Sequence, residues 1–176
     1  MNRSRLLIVE DEAIVAADIA IRLGQLGYEV VGSAASGAEA VAMAGQTGAE
    51  LVLMDIHLQG AMDGITAAHE LRDRFGLPVV FLTAYGEGAT FERAKAAEPF
   101  GYILKPFEDR ELRIVVEMAL YKHQIENELK HKYAELERFN KVTVDRELRM
   151  IELKQEINAL LQAAGQPEKY KIAYEE

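Results

Sequence analysis

The chain of 176 residues is long enough for one ordinary domain with an appendage, and 49% of its residues are hydrophobic. It contains no cysteine, which excludes a disulfide framework, a thiolate metal site and a cysteine nucleophile. The net charge of −9 and the lack of an apolar run long enough for a signal peptide or membrane span predict a cytoplasmic protein that contacts neither nucleic acid nor membrane.

Five short apolar runs in the first 120 residues are candidate β-strands. Most are continuously apolar instead of alternating, which is typical of strands buried on both faces of a sheet. In chain order they are Leu6–Val9, Glu29–Ser33, Leu51–Met54, Val79–Leu82 and Gly101–Leu104.

Longer segments with helical periodicity separate these strands. They lie at residues 13–26, 37–47, 64–75 and 87–97, and a fifth begins near Asp109. Because parallel strands need helical crossovers, the alternation predicts an α/β fold with a doubly wound five-stranded parallel sheet. In such sheets, ligands bind at the carboxyl ends of the strands.

The C-terminal part of the chain has a different character. Residues 1–120 contain 10 Lys/Arg and 18 Asp/Glu, whereas residues 121–164 contain 8 of each sign. The segment from Glu111 to Ala164 has neither proline nor glycine, which favours one long helix, and Gly165-Gln166-Pro167 should end it. We therefore predict a first domain at 1–120, a helical extension at 121–164 and a C-terminal tail at 165–176.

Hydrophobic heptads run along the predicted extension. With Leu129 at position a, eight of eleven a and d positions are apolar, which predicts a coiled coil. Polar Thr143 and Arg146 interrupt the pattern, so the helix either continues there or breaks and folds back, and pairing could be parallel or antiparallel. The positions are, for a, Leu129, Leu136, Thr143, Met150 and Ile157, and for d, Ile125, Lys132, Phe139, Arg146, Leu153 and Leu160.

Polar side chains follow four of the predicted strands. Three carboxylates from two neighbouring strands would repel one another unless a cation lay among them, and Mg²⁺ prefers such oxygen ligands. A carboxylate can also attack phosphorus, while a lysine and a hydroxyl can bind phosphoryl oxygens. Each residue alone is a weak signal, but the set predicts a phosphoryl-transfer site. The residues are Glu10, Asp11 and Glu12 after the first strand, Asp55 after the third, Thr83 after the fourth and Lys105 after the fifth.

These segments resemble the response regulator receiver domain family of two-component signalling, from residue 5 to about 120. The resemblance implies the flavodoxin-like strand order 2-1-3-4-5 and a phosphorylation-dependent switch, which is a phosphoacceptor and not an enzyme with a separate substrate. Glu10 stands where many members have Asp. The matching segments are Leu6 to Glu12, Met54-Asp55, Asp63-Gly64, Leu82-Thr83-Ala84 and Tyr102 to Phe107.

The resemblance assigns the acceptor and the metal ligands. It implies that Asp55 accepts the phosphoryl group. It also implies that Glu10, Asp11, Asp55 and the backbone carbonyl of His57 hold Mg²⁺.

The resemblance also assigns the phosphoryl-binding and switch residues. Thr83 and Lys105 would bind the phosphoryl oxygens. Tyr102 would be the switch aromatic that turns inward with Thr83, although an aromatic on a strand is as often simple packing. The Lys105–Pro106 peptide would be cis.

The implied partners follow from the same family. A histidine kinase, a phosphotransfer protein or a small acyl phosphate would phosphorylate the chain. Phosphorylation would then change the face made by the fourth helix, fifth strand and fifth helix. The extension resembles the coiled-coil linker helices beside PAS domains, so a homodimer is expected. With no helix-turn-helix pattern and no basic patch, a DNA-binding output domain is not expected.

Three alternative functions remain. A dehalogenase-like phosphatase also uses Asp, Thr, Lys and Mg²⁺, but its nucleophile should follow the first strand. The second alternative is a scaffold in which the coiled coil matters and the receiver is vestigial. The third is that the chain is a piece of a larger sensory kinase.

Four further residues carry weaker predictions. His57 and Tyr85 either flank the phosphoryl site or are ordinary rim residues. His123 and His131 lack a kinase signature and should be solvated helix residues.

Overall fold

The structure is a computed structural model that describes residues 3–84, 93–167 and 169–171. The chain forms two compact units, Met1–Glu126 and Asn127–Glu176. The first unit contains the sheet and the second contains most of the long C-terminal helix. Among the described residues, no helix is both long and apolar enough to cross a lipid bilayer.

Five parallel strands form one sheet in the order β2-β1-β3-β4-β5, so the predicted fold class and strand order are confirmed. The strands are β1 (Arg5–Val9), β2 (Glu29–Ala34), β3 (Leu51–Asp55), β4 (Val79–Ala84) and β5 (Gly101–Lys105).

Helices connect the strands, as the parallel topology requires. The predicted helix at 87–97 falls partly on residues 85–92, outside the described part of the chain, and we label its helical residues 93–96 as α4. The other helices are α1 (Ala13–Gln25), α2 (Gly37–Thr47), α3 (Gly64–Phe75) and α5 (Asp109–Ala163).

Alternate residues of each strand pack on opposite faces of the sheet. In β1, Leu7 and Val9 join a core cluster with residues of α2 and α3, whereas Leu6 and Ile8 join a second cluster with α1 and α5. All four side chains are fully buried. Helices therefore cover both faces, which explains why the strands are continuously apolar in sequence.

Local sequence signals set the ends of α2 and α3. The Ser36 hydroxyl caps α2 by accepting a hydrogen bond from the Glu39 N–H at 3.3 Å, and Gly48 ends that helix in the left-handed conformation. Gly76 ends α3 in the same way, with φ of +65°. These are the residue types that favour the two kinds of helix end.

The strand order positions the functional site. The chain crosses from β1 to β2 on one side and then returns to place β3 on the other side of β1. The helices that follow β1 and β3 lie on opposite faces, so a crevice opens outside the carboxyl ends of these two strands. Glu10 and Asp55 lie at those ends.

Helix α5 continues without interruption through Thr143 and Arg146. The alternative in which the helix breaks at these two residues is therefore wrong. The Thr143 hydroxyl donates a hydrogen bond to the Phe139 carbonyl one turn earlier, at 3.0 Å, so the polar position is satisfied within the helix.

The second unit ends in a short return of the chain. After α5 ends at Ala163, Gly165 adopts a φ of +70°, and the Gln166 N–H donates to the Leu161 carbonyl at 2.9 Å. Such a hydrogen bond is typical of a glycine-terminated helix.

A buried carboxamide holds this returning segment. Asn158 is 7% exposed, and its Nδ2 donates to the Tyr170 carbonyl at 2.7 Å. Its Oδ1 accepts hydrogen bonds from the Lys169 N–H at 3.1 Å and the Tyr170 N–H at 3.0 Å. These three bonds satisfy a polar group that would otherwise be costly to bury.

Candidate functional site

Three carboxylates meet at the carboxyl ends of β1 and β3. Glu10, Asp11 and Asp55 each place one oxygen within 4.8 Å of the others, and we call these three residues the acidic cluster. Glu10 is 2% exposed and Asp55 is 7% exposed. Burying two carboxylates this close together requires a compensating positive charge.

Lys105, at the end of β5, supplies part of that charge. Its Nζ lies 2.5 Å from Glu10 Oε2 and 2.5 Å from Asp55 Oδ2. Burial opposes the charged form, but the hydrogen bonds to Asp55 and Glu10 outweigh it and raise the pKa of Lys105. The ammonium is therefore stably charged and joins β5 to β1 and β3.

Burial also affects Glu10. Desolvation raises the pKa of Glu10 above its ordinary value, and the nearby Asp55 adds to this, while the Lys105 hydrogen bond counteracts it. A carboxylate in this position gains from any additional cation, because extra positive charge favours its ionised form.

Backbone N–H groups orient the other two carboxylates. The His57 N–H donates to Asp55 Oδ1 at 2.9 Å, and the Gln59 N–H donates to Asp11 Oδ2 at 3.2 Å. Both donors belong to the loop after β3, so this loop fixes the carboxylates relative to each other.

The residues present fit a hard divalent cation. Three carboxylates and one ammonium give a formal charge of −3 + 1 = −2, which one Mg²⁺ would neutralise. The possible ligands are the carboxylates of Glu10, Asp11 and Asp55 together with the backbone carbonyl of His57. All of them offer oxygen, the donor that Mg²⁺ prefers.

The loop after β3 returns closely to the strand. The Gly64 N–H donates to the Ile56 carbonyl at 3.3 Å. A Cβ atom at Gly64 would lie only 2.0 Å from the Asp55 carbonyl oxygen, so no larger residue fits without moving the backbone beside Asp55.

Asp63 begins α3 and reaches α4. Its Oδ1 accepts hydrogen bonds from the Thr66 N–H at 2.8 Å and the Thr66 hydroxyl at 2.6 Å, and its Oδ2 binds Arg93 at 2.7 Å. Burial alone would raise the pKa of Asp63, but the hydrogen bonds from Thr66 and the interaction with Arg93 together lower it. In the sequence, Asp63-Gly64 stands out only as part of the family resemblance, although an Asp three residues before Thr66 is also a helix-capping signal.

Thr83 lies at the end of β4, between β3 and β5. It therefore shares the edge of the sheet with the acidic cluster. Its hydroxyl donates to the Ala84 carbonyl at 3.1 Å, so the described hydrogen bond of this group runs along its own strand.

Tyr102 lies in β5 with its ring against the first core cluster. The ring centroid is 6.0 Å from that of Phe81, and the hydroxyl oxygen is buried. Tyr102 therefore packs against the core, and its role as a switch aromatic stays a prediction. The Lys105–Pro106 peptide bond is cis.

The remaining candidate residues are more peripheral. His57 and His131 are exposed, whereas His123 packs edge-to-face on Phe100 with centroids 5.5 Å apart. Tyr85 lies outside the described residues.

Comparison with known sequences finds a matching protein family. Residues 6–117 match the response regulator receiver domain. The transcriptional regulatory protein PdtaR of Mycobacterium tuberculosis is 40% identical over 116 residues, which cover 66% of this chain and 56% of PdtaR. The chain thus spans about half the length of the curated relatives it matches.

Solved structures agree with the sequence matches. The signal receiver domain of a modulated diguanylate cyclase from Desulfovibrio desulfuricans G20 has a TM-score of 0.68 and 40% identity, covering 71% of this chain and 99% of that one. A fusion that carries the yeast Spc42 trimeric coiled coil has a TM-score of 0.68 and 34% identity, covering 82% of this chain and 97% of that one.

Proposed function

This chain belongs to the response regulator receiver domain family of two-component signalling, and from that membership we propose that Asp55 accepts a phosphoryl group which switches the protein between two states. The observation that carries the proposal is the buried Asp55 carboxylate, held by Lys105 and by the His57 N–H beside two further carboxylates. A histidine kinase, a phosphotransfer protein or a small acyl phosphate would be the donor.

The transfer needs a nucleophile that is oriented before the donor arrives. One Asp55 oxygen attacks phosphorus, and the bond from phosphorus to the donor nitrogen or acyl oxygen breaks, with its electron pair leaving on the donor. Asp55 uses a carboxylate for this attack, so no general base is required. The Lys105 ammonium would bind an oxygen of the incoming phosphoryl group, which its 2.5 Å distance from Asp55 Oδ2 supports.

We propose that Mg²⁺ binds beside the acceptor. Asp11, Asp55 and the His57 carbonyl would hold it, with Glu10 contributing through water or directly. When bound, it would screen the negative charge on the phosphoryl oxygens. The formal charge of −2 at the acidic cluster and Lys105 supports this assignment.

Thr83 and Tyr102 would carry the signal away from the site. The Thr83 hydroxyl would leave the Ala84 carbonyl and rotate towards the phosphoryl group. Tyr102, already packed against Phe81, would be stabilised in that inward position. The affected surface is the one formed by α4, β5 and α5, and the ligand shifts an existing equilibrium on it.

The long helix would pair with a second copy. All eight apolar residues at the predicted a and d positions are exposed, as expected of a helix that requires a partner. The solved fusion described above carries a trimeric coiled coil, which supports self-association through such a helix. The eight residues are Ile125, Leu129, Leu136, Phe139, Met150, Leu153, Ile157 and Leu160.

The output would be a change in pairing or in partner binding along α5. On this proposal the protein is a signalling switch that catalyses only its own phosphorylation and dephosphorylation. A difference in oligomeric state or partner affinity between the phosphorylated and unphosphorylated protein is the result expected.

Phosphoryl uptake tests the proposal directly. The protein is incubated with Mg²⁺ and acetyl phosphate, and intact mass is measured for the wild type and for Asp55→Asn. We expect one phosphoryl group on the wild type and none on the variant. Asp63→Asn is the matched control, because it removes a nearby carboxylate outside the acidic cluster and should still be phosphorylated. If neither acetyl phosphate nor a kinase donor phosphorylates the wild type, the proposal fails.

A further inference from the structure

Arg22, in the last turn of α1, connects three separate parts of the first unit. Its Nε donates to Asp18 Oδ2 at 2.7 Å within the same helix. Its Nη1 donates to Asp109 Oδ1 at 2.9 Å and to the Phe107 carbonyl at 3.4 Å. The Phe107 ring also lies 5.9 Å from the guanidinium carbon. We call these contacts the Arg22 clamp.

The two distant contacts of the clamp fall on either side of one short loop. Phe107 is two residues after Lys105, and Asp109 is the first residue of α5. A single side chain on α1 thus holds both the segment that follows the site lysine and the start of the long helix. Arginine suits this geometry because its planar fork presents several donors at once.

The loop borders an open pocket at the protein surface. The pocket has a volume of about 360 Å³ and lies between α1 and the loop, lined by Val15, Asp18, Arg22, Lys105, Pro106 and Phe107. Side chains that border such a pocket lack packing contacts on that side. The hydrogen bonds of Arg22 to the Phe107 carbonyl and to Asp109 therefore supplement the packing that holds this loop.

The position of Lys105 matters because its ammonium must stay between two buried carboxylates. Its Nζ makes 2.5 Å contacts with both Glu10 and Asp55, and small displacements weaken such bonds steeply. A displacement of about 1 Å in a reacting group can slow a reaction by up to about a hundredfold. A residue that fixes the loop after Lys105 can therefore affect the reaction without touching the reacting atoms.

From these contacts we infer that Arg22 is a positioning residue for Lys105, acting through the loop between β5 and α5. Arg22 also ties the first residue of α5 to α1, so the same side chain links the site lysine to the helix proposed as output. This inference rests on the proposed function of Asp55. Neither the sequence patterns nor the family resemblance singled out Arg22.

The test compares phosphorylation rates of Arg22→Ala and Arg22→Lys with the wild type, using Mg²⁺ and a series of acetyl phosphate concentrations. We expect Arg22→Ala to lower the rate at saturating donor by about fivefold, with the half-saturating concentration changed by less than about twofold. Arg22→Lys keeps one positive donor but lacks the planar fork, so it should recover part of the loss and fall between Arg22→Ala and the wild type. If Arg22 had a merely structural role, its removal would lower the melting temperature. It would not selectively lower the rate at saturating donor, and Arg22→Lys would not restore that rate.

Arg74→Ala is the matched control. Arg74 also bonds a carboxylate four residues earlier, Glu70 at 3.2 Å, and also lies over a phenylalanine ring, Phe75 at 5.2 Å. It belongs to α3, which packs on the opposite face of the sheet from α1 and α5, so its removal should leave the phosphorylation rate within about 1.5-fold of wild type.

Asp109→Asn separates the two distant contacts. This variant weakens the bond to α5 but leaves the Phe107 carbonyl available to Arg22, so we expect a smaller loss of rate than for Arg22→Ala. An equal loss would place the effect at the start of α5 and overturn the inference. Should Arg22→Ala not fold, the Arg22→Lys and Asp109→Asn rates still decide the point.

The two proposals fail in distinguishable ways. If the wild type is phosphorylated and Arg22→Ala is phosphorylated at the same rate, only the role of Arg22 is overturned. A wild type that takes no phosphoryl group from any donor overturns the function of Asp55, and the role of Arg22 falls with it.

Discussion

Leu53 in β3 and Leu148 in α5 are the same residue type in opposite surroundings. Leu53 is fully buried, whereas Leu148 is 54% exposed. The contrast extends to the two units. Strand residues of the first unit pack between helices on both faces of the sheet, whereas most of the apolar residues of α5 beyond residue 126 remain exposed.

This difference separates two ways of specifying structure. In the first unit, tertiary packing decides which residues are in strands, and the same packing places the acidic cluster. In the second, the absence of proline and glycine between residues 127 and 163 and the intrinsic preferences of these residues favour a helix, and most of its apolar residues are exposed in the described part of the chain. Substitutions in the interior test the packing of the first unit. Substitutions of exposed residues test the role of the apolar stripe in the second unit.

The largest effect should come from matched leucine truncations. Leu53→Ala should lower the free energy of unfolding by about 4 kcal/mol, because it leaves a cavity in a fully packed core. Leu148→Ala should change it by less than about 0.5 kcal/mol, since the side chain is exposed and both residues favour helix. Urea unfolding followed by circular dichroism measures both. Similar losses from the two variants would refute the contrast between the units.

A second pair concerns two glycines of the first unit. Gly64→Ala should destabilise by about 3 kcal/mol, because the new Cβ meets the Asp55 carbonyl at 2.0 Å. Gly24→Ala, in α1, meets nothing within 4 Å and should stabilise by up to about 1 kcal/mol. The same urea experiment applies, with phosphoryl uptake measured in parallel. A tolerated Gly64→Ala would mean that the loop after β3 can move away from Asp55.

A third test addresses the exposed stripe of α5. Leu136 is 53% exposed and lies at a predicted a position. Leu136→Glu should weaken self-association by about tenfold or more. Leu148→Glu is the control, because Leu148 lies at position f, away from the predicted seam. Sedimentation equilibrium gives the two dissociation constants. A monomeric wild type, or equal effects of the two variants, would exclude pairing through this stripe.

The smallest expected effect concerns Asp63 and pH. Asp63→Ala removes the cap of α3 and should cost about 1 kcal/mol at pH 7. Because contacts in the folded state lower the pKa of Asp63 below its ordinary 3.8, the stabilisation is complete above about pH 5 and declines as the pH falls through the folded-state value. The difference between wild type and variant in urea should therefore shrink at lower pH. A constant difference would show that the carboxylate charge contributes nothing.

Much of the first unit was predictable from its sequence. Buried strands of a parallel sheet must be apolar on both faces, so β3 and β4 are recognisable from the continuous apolar runs Leu51–Met54 and Val79–Leu82. Strand-end placement then brings Glu10, Asp11, Asp55 and Lys105 to one edge without knowledge of any side-chain contact. Functional roles for these residues remain predictions that the phosphorylation experiment must test.

What the sequence could not predict depends on side-chain geometry between distant segments. Nothing in a local pattern indicates that Lys105 bonds both Glu10 and Asp55, or that Arg22 reaches a loop 85 residues later. The alternative of a break at Thr143 failed for a local reason instead, because a threonine hydroxyl can bond the carbonyl one turn earlier and remain helical.

The three bonds of Asn158 to Lys169 and Tyr170 have a practical consequence for shortened versions of the chain. A stop codon placed directly after Gly165 would remove the three main-chain partners of this carboxamide described above and leave the Asn158 side chain without them. Crystallisation or binding studies of the helix alone should therefore retain the chain at least through Tyr170. Otherwise they would report on a helix end that the natural sequence does not present.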